Sequence, residues 1–133
     1  MIAVDTSVVV PALSPWHERH EPCRTVLDDR PRIVGHALVE SFSVLTRLPV
    51  PFRLQPKLAS ELLSSNFDPP VLVMNAEDHA RFVVDLPHWG VVGGAVYDAL
   101  IAATAARVGA VLLTLDGRAA RTYRAVGADV RLL

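Results

Sequence analysis

Four carboxylates stand where the local sequence argues against ordinary solvated charge. Asp5 closes the apolar run Ile2-Ala3-Val4, and Asp116 closes the run Ala110–Leu115. Glu40 lies among the apolar face residues of a helical stretch, and Asp98 opens an Ala-rich one. Taken singly, each has a plain structural reading: Asp5 and Asp116 as caps of the helices that follow, Glu40 and Asp98 as partners of an Arg. Taken together they point elsewhere, because in a parallel sheet the C-terminal ends of strands and the N-termini of the next helices share the edge where ligands bind. Four carboxylates gathered within roughly 5 Å repel by on the order of 10 kcal/mol at an effective dielectric near 20, comparable with the whole stability of a domain. A positive charge must neutralise such a cluster, and no Lys is near any of the four in sequence. Oxygen-only ligands suit Mg²⁺ or Mn²⁺ rather than zinc. A hard divalent cation held this way lowers the pKa of a water and holds the charge of an in-line displacement, which fits hydrolysis of a phosphodiester. Thr6, Ser7 and Thr114 lie beside Asp5 and Asp116, where their hydroxyls can orient carboxylates or waters.

The elements that must position these groups are legible from periodicity. Short apolar runs at Ile2–Val4, Arg32–Gly35, Val71–Met74, Ala110–Leu115 and Asp129–Leu133 read as strands. Between them, Val8–Leu13, His17–Asp29, His36–Arg47, a segment resuming near Pro56, a segment after Asn75, Val96–Val108 and Arg118–Val126 read as helices. Asn75 is a cap followed by acids in the first turn, Pro56 suits a first-turn position, and Gly109 and Gly127 stand at helix stops. Leu48-Pro49-Val50-Pro51-Phe52 cannot be helical, since each Pro restricts the residue before it, and is a stiff apolar loop suited to a protein contact. Strands that are continuous apolar runs alternating with helices indicate a mostly parallel central sheet covered on both faces, a three-layer α/β/α domain. No repeat, linker or low-complexity segment interrupts residues 1–133, so one domain is expected.

Composition narrows the setting. With 133 residues, 51% hydrophobic and 20% charged, the chain is neither disordered in type nor long enough for two separate cores. Its N-terminus lacks a basic region before the apolar run, and no window reaches a membrane span, so a cytoplasmic, non-membrane protein is expected. The single Cys23 cannot form an internal disulfide. Net charge is −1, yet Lys57 is the only Lys among the 13 basic residues, a bias toward the side chain that forks onto phosphate. Arg118, Arg121 and Arg124 recur on one helix just after Asp116, placed to meet RNA phosphates. Trp16, Trp89, Tyr97 and Phe52 are candidates to stack an unpaired base, and His36, one turn before Glu40, is a candidate to touch the site. His17-Glu18-Arg19-His20 lacks the four-residue His spacing of a zinc protease helix.

The stretches Val4-Asp5-Thr6-Ser7, Glu40 to Pro49, Gly93 to Ala105 with Tyr97-Asp98-Ala99 at its centre, and Leu113-Thr114-Leu115-Asp116 follow one another across nearly the whole chain. In these the chain resembles PIN-domain ribonucleases, and more narrowly the VapC-type toxins of VapBC toxin–antitoxin pairs. The resemblance implies a Mg²⁺- or Mn²⁺-dependent endoribonuclease with Asp5, Glu40, Asp98 and Asp116 at the acidic metal site. It also implies a homodimer, a VapB-type antitoxin that blocks the site, and structured RNA, tRNA or ribosomal RNA loops, as target. Gly117-Arg118 follows Asp116 where some PIN domains carry a further polar or acidic residue, a departure that bears on a second metal position. A phosphoacceptor receiver would need a Lys from a late strand, and Lys57 falls mid-chain in a helix. The alternative is a non-catalytic PIN-like module that grips RNA or protein; such a module would gain stability by losing some of these acids, and all four are present.

Overall fold

The computed structural model describes residues 1–133. Its centre is a four-stranded, all-parallel sheet of β1 (Ile2–Val4), β2 (Arg32–Ile33), β3 (Val111–Thr114) and β4 (Asp129–Leu132), in the order β2-β1-β3-β4. Seven helices surround it in a three-layer α/β/α arrangement: α1 (Thr6–Ala12), α2 (His20–Asp28), α3 (Gly35–Arg47), α4 (Pro56–Ser65), α5 (Ala76–Asp85), α6 (Ala95–Arg107) and α7 (Gly117–Val126). A short 3₁₀ turn, Leu86–Trp89, follows α5.

Local chemistry accounts for most boundaries. Asn75 accepts a 2.7 Å hydrogen bond from the Asp78 amide and starts α5. Pro56 stands in the first turn of α4, where its missing N–H has no helical partner to lose. The helix α6 stops at Val108 because Gly109 adopts φ +65°, a conformation that costs glycine nothing. Its Ala-rich sequence lets it sink between neighbours, with Ala99, Ile101, Ala102, Ala103, Thr104 and Ala105 all buried. The main core joins Val4, Val8, Val9, Leu27, Ile33, Leu45, Ile101, Leu112 and Tyr123 around the central strands.

Three expectations are corrected. The strand expected over Val71–Met74 reduces to one bridge, Val34 to Leu72, with Leu72 donating to Ile33 O at 2.9 Å and Gly35 donating to Leu72 O at 2.8 Å. Pro69 and Pro70 carry no amide hydrogen, and its neighbour β2 ends after two residues because α3 begins at Gly35, so the ladder has nothing to extend along. For the same reason β2 is shorter than the expected Arg32–Gly35. The second helix begins at His20 rather than His17, the residues before it forming turns closed by His17 donating to Ser14 O and His20 to His17 O.

Topology places the site. From β1 the chain crosses to β2 on one side, and returns later to β3 on the other, so the C-terminal ends of β1 and β3 flank a switch point where connections diverge. Val4 is in register with Leu113, which sets Asp5 beside Thr114 and just ahead of Asp116.

Candidate active site

Asp5, Glu40, Asp98 and Asp116 line one cavity of about 230 Å³ together with Thr6, Ser7, Ile101, Ala119 and Tyr123. Four elements supply the acids. Asp5 follows β1, Asp116 follows β3, Glu40 stands within α3 and Asp98 in the first turn of α6, whose N-terminal end opens on the same edge of the sheet. The partial positive charge of that helix end favours a carboxylate there.

Each acid is held differently. Asp5 is 3% exposed and does not cap α1, although it occupies the cap position. Its Oδ1 accepts from Ser7 Oγ at 2.6 Å and its Oδ2 from Tyr123 Oη at 2.8 Å. With the single Ser7 proton given to Asp5, the 3.1 Å contact between Ser7 and Thr114 requires Thr114 to donate. Ser7 also accepts from the Leu115 amide at 2.8 Å, and Thr114 accepts from the Asp116 amide at 3.0 Å. These hydroxyls thus lock the ends of β1 and β3 together and aim both acids. Glu40 accepts from Thr6 Oγ1 at 2.8 Å. Asp116 does cap α7, its Oδ1 accepting from the Arg118 and Ala119 amides at 2.8 and 3.1 Å. For Asp116 the capping reading therefore holds for one oxygen and leaves Oδ2 without an assigned donor.

No Arg or Lys pairs with any of the four; the two ion pairs in the structure are Arg24–Asp28 and Arg107–Asp78. The carboxyls of Asp5 and Asp98 are accordingly pushed above the usual range. Burial is the main cause for Asp5, opposed by its hydrogen bonds from Ser7 and Tyr123 and by the nearby Thr114 hydroxyl. Burial also leads for Asp98, followed by the charges of Asp116, Glu40 and Asp5, with His36 opposing. The four acids share a cavity without closing into a ligand cage: no three of them stand in metal-holding geometry.

Residues 2–125 match the family described as the PIN domain. The chain belongs to the PIN-domain family. Over 133 residues, all of this chain and 99% of the relative, it is 41% identical to Ribonuclease VapC40 of Mycobacterium tuberculosis, in strains CDC 1551 / Oshkosh and ATCC 25618 / H37Rv. It is 43% identical over 131 residues to Ribonuclease VapC27 of the latter strain, covering 97% of this chain and 94% of the relative. These likenesses place this PIN domain among the VapC-type ribonucleases.

PIN-domain ribonucleases work with a divalent metal, and the chemistry of the donor set here fits one: it is all oxygen, net negative and without an internal cation. The structure of this PIN domain also shows what sequence reasoning missed. Tyr123, fully buried, was not among the aromatic candidates, yet its phenol holds Asp5. Its signal lies in the buried face of α7, Ala119, Ala120 and Tyr123, at helical spacing after Asp116. His36 does not line the acid cavity; it stacks on Tyr97 with ring centroids 5.2 Å apart and 7° between planes, and lines a separate small cavity with Val73, Met74 and His79. Arg118, Arg121 and Arg124 lie on the exposed face of α7 and do not line the cavity. Trp89 packs against Phe82 beneath α5, away from the acids. Cys23 is buried, and burial pushes its thiol up, so it has no part in the chemistry.

Proposed function

We propose that this PIN domain is the toxin of a type II toxin–antitoxin pair, a Mg²⁺- or Mn²⁺-dependent endoribonuclease acting on structured RNA such as tRNA or ribosomal RNA. The observation that carries the reading is the convergence of four carboxylates from four elements on one cavity with no protein cation among them. Asp116 is exposed and caps α7, but a stability-driven arrangement would give the buried Asp5 and the half-buried Glu40 and Asp98 a cationic partner.

In this reading Asp5, Glu40, Asp98 and Asp116 hold the metal. When bound, the divalent ion supplies the positive charge that activates a water toward phosphorus and stabilises the charge of the in-line displacement. The chain's own residues do the positioning. Ser7 and Tyr123 fix the two oxygens of Asp5, and Thr6 fixes Glu40. Thr114 ties Asp116 to the Ser7 network, and the α7 cap keeps Oδ1 of Asp116 oriented. The raised carboxyls of Asp5 and Asp98 make the metal-free site poised to gain a cation, because the ion relieves both repulsion and the cost of buried charge. Arg118, Arg121 and Arg124 contact the RNA backbone beside the cut. The partners in this reading are a VapB-type antitoxin that covers the acids and a second copy of the chain in a homodimer of single-domain protomers. The setting is the cytoplasm; no helix is long and apolar enough to cross a membrane.

The test is incubation of the purified chain, freed of antitoxin, with total cellular RNA in Mg²⁺, Mn²⁺ and EDTA, with Asp5→Ala as control and new 5′ ends mapped. Discrete metal-dependent cuts lost in the variant are expected. A folded, antitoxin-free chain that cuts nothing with either metal overturns the reading in favour of a binding module.

A further inference from the structure

Two aromatic pairs stand close in the chain to residues of the acidic site, His36–Tyr97 beside Asp98 and Trp16–Phe52 beside His17. On the side of α3 and α6, His36 and Tyr97 are stacked nearly parallel, with Tyr97 58% exposed and His36 half-buried. Tyr97 adjoins Asp98 in the chain, and His36 lies one helical turn before Glu40. On the other side, Thr6, Ser7 and Asp116 also line an open groove of about 540 Å³ that runs past Val10 and Pro11 to His17. At that end Trp16, in contact with His17, packs on Phe52 with centroids 4.4 Å apart, and the two rings are 47% and 40% exposed. The cavity and the groove share Thr6, Ser7 and Asp116, so the acids open on one side toward His17, the neighbour of Trp16, while Tyr97 adjoins Asp98 in α6.

Large aromatic rings left half in water gain nothing for the fold from that exposure, and their free faces have the size and polarisability of a nucleobase. A duplex offers them no partner, because its bases are already stacked on both faces. An unpaired strand does, and every base has a π-face, so such stacking tolerates sequence. We propose that the His36–Tyr97 stack and the Trp16–Phe52 pair are base-stacking platforms that hold an unpaired RNA segment across the acidic cavity, with the scissile phosphate between them. This deepens the ribonuclease reading and rests on it. It assigns the holding of bases to Tyr97, Trp16, Phe52 and His36 and not to Trp89, which is half-buried against Phe82.

The experiment measures binding rather than cleavage: anisotropy of a labelled mixed-sequence single-stranded RNA, and of the same strand annealed to its complement, with the full chain in EDTA and again in Ca²⁺. Tyr97→Ala and Trp16→Ala should each weaken single-strand binding by about tenfold while leaving duplex binding unchanged, and Tyr97→Phe should bind as the parent does. As a readout independent of the truncations, Trp89→Phe leaves Trp16 as the one indole, whose emission should be quenched by the single strand and not by the duplex. The proposal is overturned if the chain has no affinity for the single strand under either condition, if the Ala variants bind it unchanged, or if they lose single strand and duplex alike. Binding through Tyr97 and Trp16 by a chain that cuts no RNA would overturn the ribonuclease reading alone. Metal-dependent cutting by a chain whose Ala variants bind normally would overturn only the platforms.

Discussion

The phenol of Tyr123 donates a 2.8 Å hydrogen bond to Oδ2 of Asp5, joining residues 118 positions apart in the chain inside the core. Burial first, then the charge of Asp5 and this bond, push the phenol well above its usual range, so it stays protonated and remains a donor to Asp5. Tyr123→Phe keeps the packing and removes that donor. The variant should lose about 1 kcal/mol of stability in metal-free thermal melts and need roughly tenfold more Mg²⁺ for half-maximal cleavage. An unchanged metal titration would reduce Tyr123 to a packing residue.

Asp98→Asn should abolish metal-dependent cleavage and leave the metal-free protein as stable as the parent or more so at neutral pH. The charge of Asp98 is opposed by burial and by Asp116, Glu40 and Asp5, so neutralising it removes an unfavourable interaction. A melting temperature lowered by several degrees in EDTA would mean instead that Asp98 makes a structural pairing.

The same shifts set a pH dependence with a definite sign. Asp5 and Asp98 have carboxyls raised above the unfolded value of 3.8, so between that value and the raised ones the folded state binds more protons. Their contribution to stability is therefore full below the unfolded pKa and lost as pH rises through the folded pKa values. In EDTA, denaturant melts should show these two groups pulling stability downward across that window, and the pull should shrink in Asp98→Asn. Saturating Mg²⁺ should add stability at neutral pH, since binding to the folded state alone shifts the equilibrium. A metal-free profile that Asp98→Asn leaves unaltered would contradict the assignment.

Ser7 and Thr6 are neighbours with different burdens. Ser7→Ala removes the donor to Asp5, the acceptor for Thr114 and the acceptor for the Leu115 amide, so it should cost about 1–3 kcal/mol as well as activity. Thr6→Val removes one bond to the half-buried Glu40 and should cost less than about 1 kcal/mol while still slowing cleavage. Chemical denaturation of both variants checks the order; equal losses would mean that the network around Ser7 is not coupled.

Replacing Arg118, Arg121 and Arg124 together by Ala should weaken RNA binding and flatten its salt dependence, by up to about 2 in the slope of log affinity against log salt for an unpaired strand. Stability should change little, since none of the three forms an ion pair. An unaltered slope would place the RNA backbone elsewhere.

Much of the architecture was legible because it follows from short-range chemistry. Asn75, Pro56 and Gly109 mark helix ends through a hydrogen bond, a missing N–H and a positive φ, each a property of one residue and its neighbours. Alternating apolar strands and helices required a parallel sheet, and Asp5 and Asp116 at strand ends had to share its ligand-binding edge. Val71–Met74 failed as a strand because pairing depends on the length of its neighbour, and β2 ends at Ile33.

What the sequence by itself determined, then, was the type and edge of the site: four acids, three at element ends and Glu40 within a helix, and the absence of a nearby Lys, all carried by residue identity and periodicity. Only the tertiary structure decided how those acids are held. That Asp5 leaves its own helix uncapped and turns to Ser7 and Tyr123, that Asp116 spends one oxygen on α7, and that His36 stacks on Tyr97 depend on which elements pack together. Hydrogen bonds and stacking act over a few ångströms in space, and residues 5 and 123 come within that range only after β1, β3 and α7 have assembled.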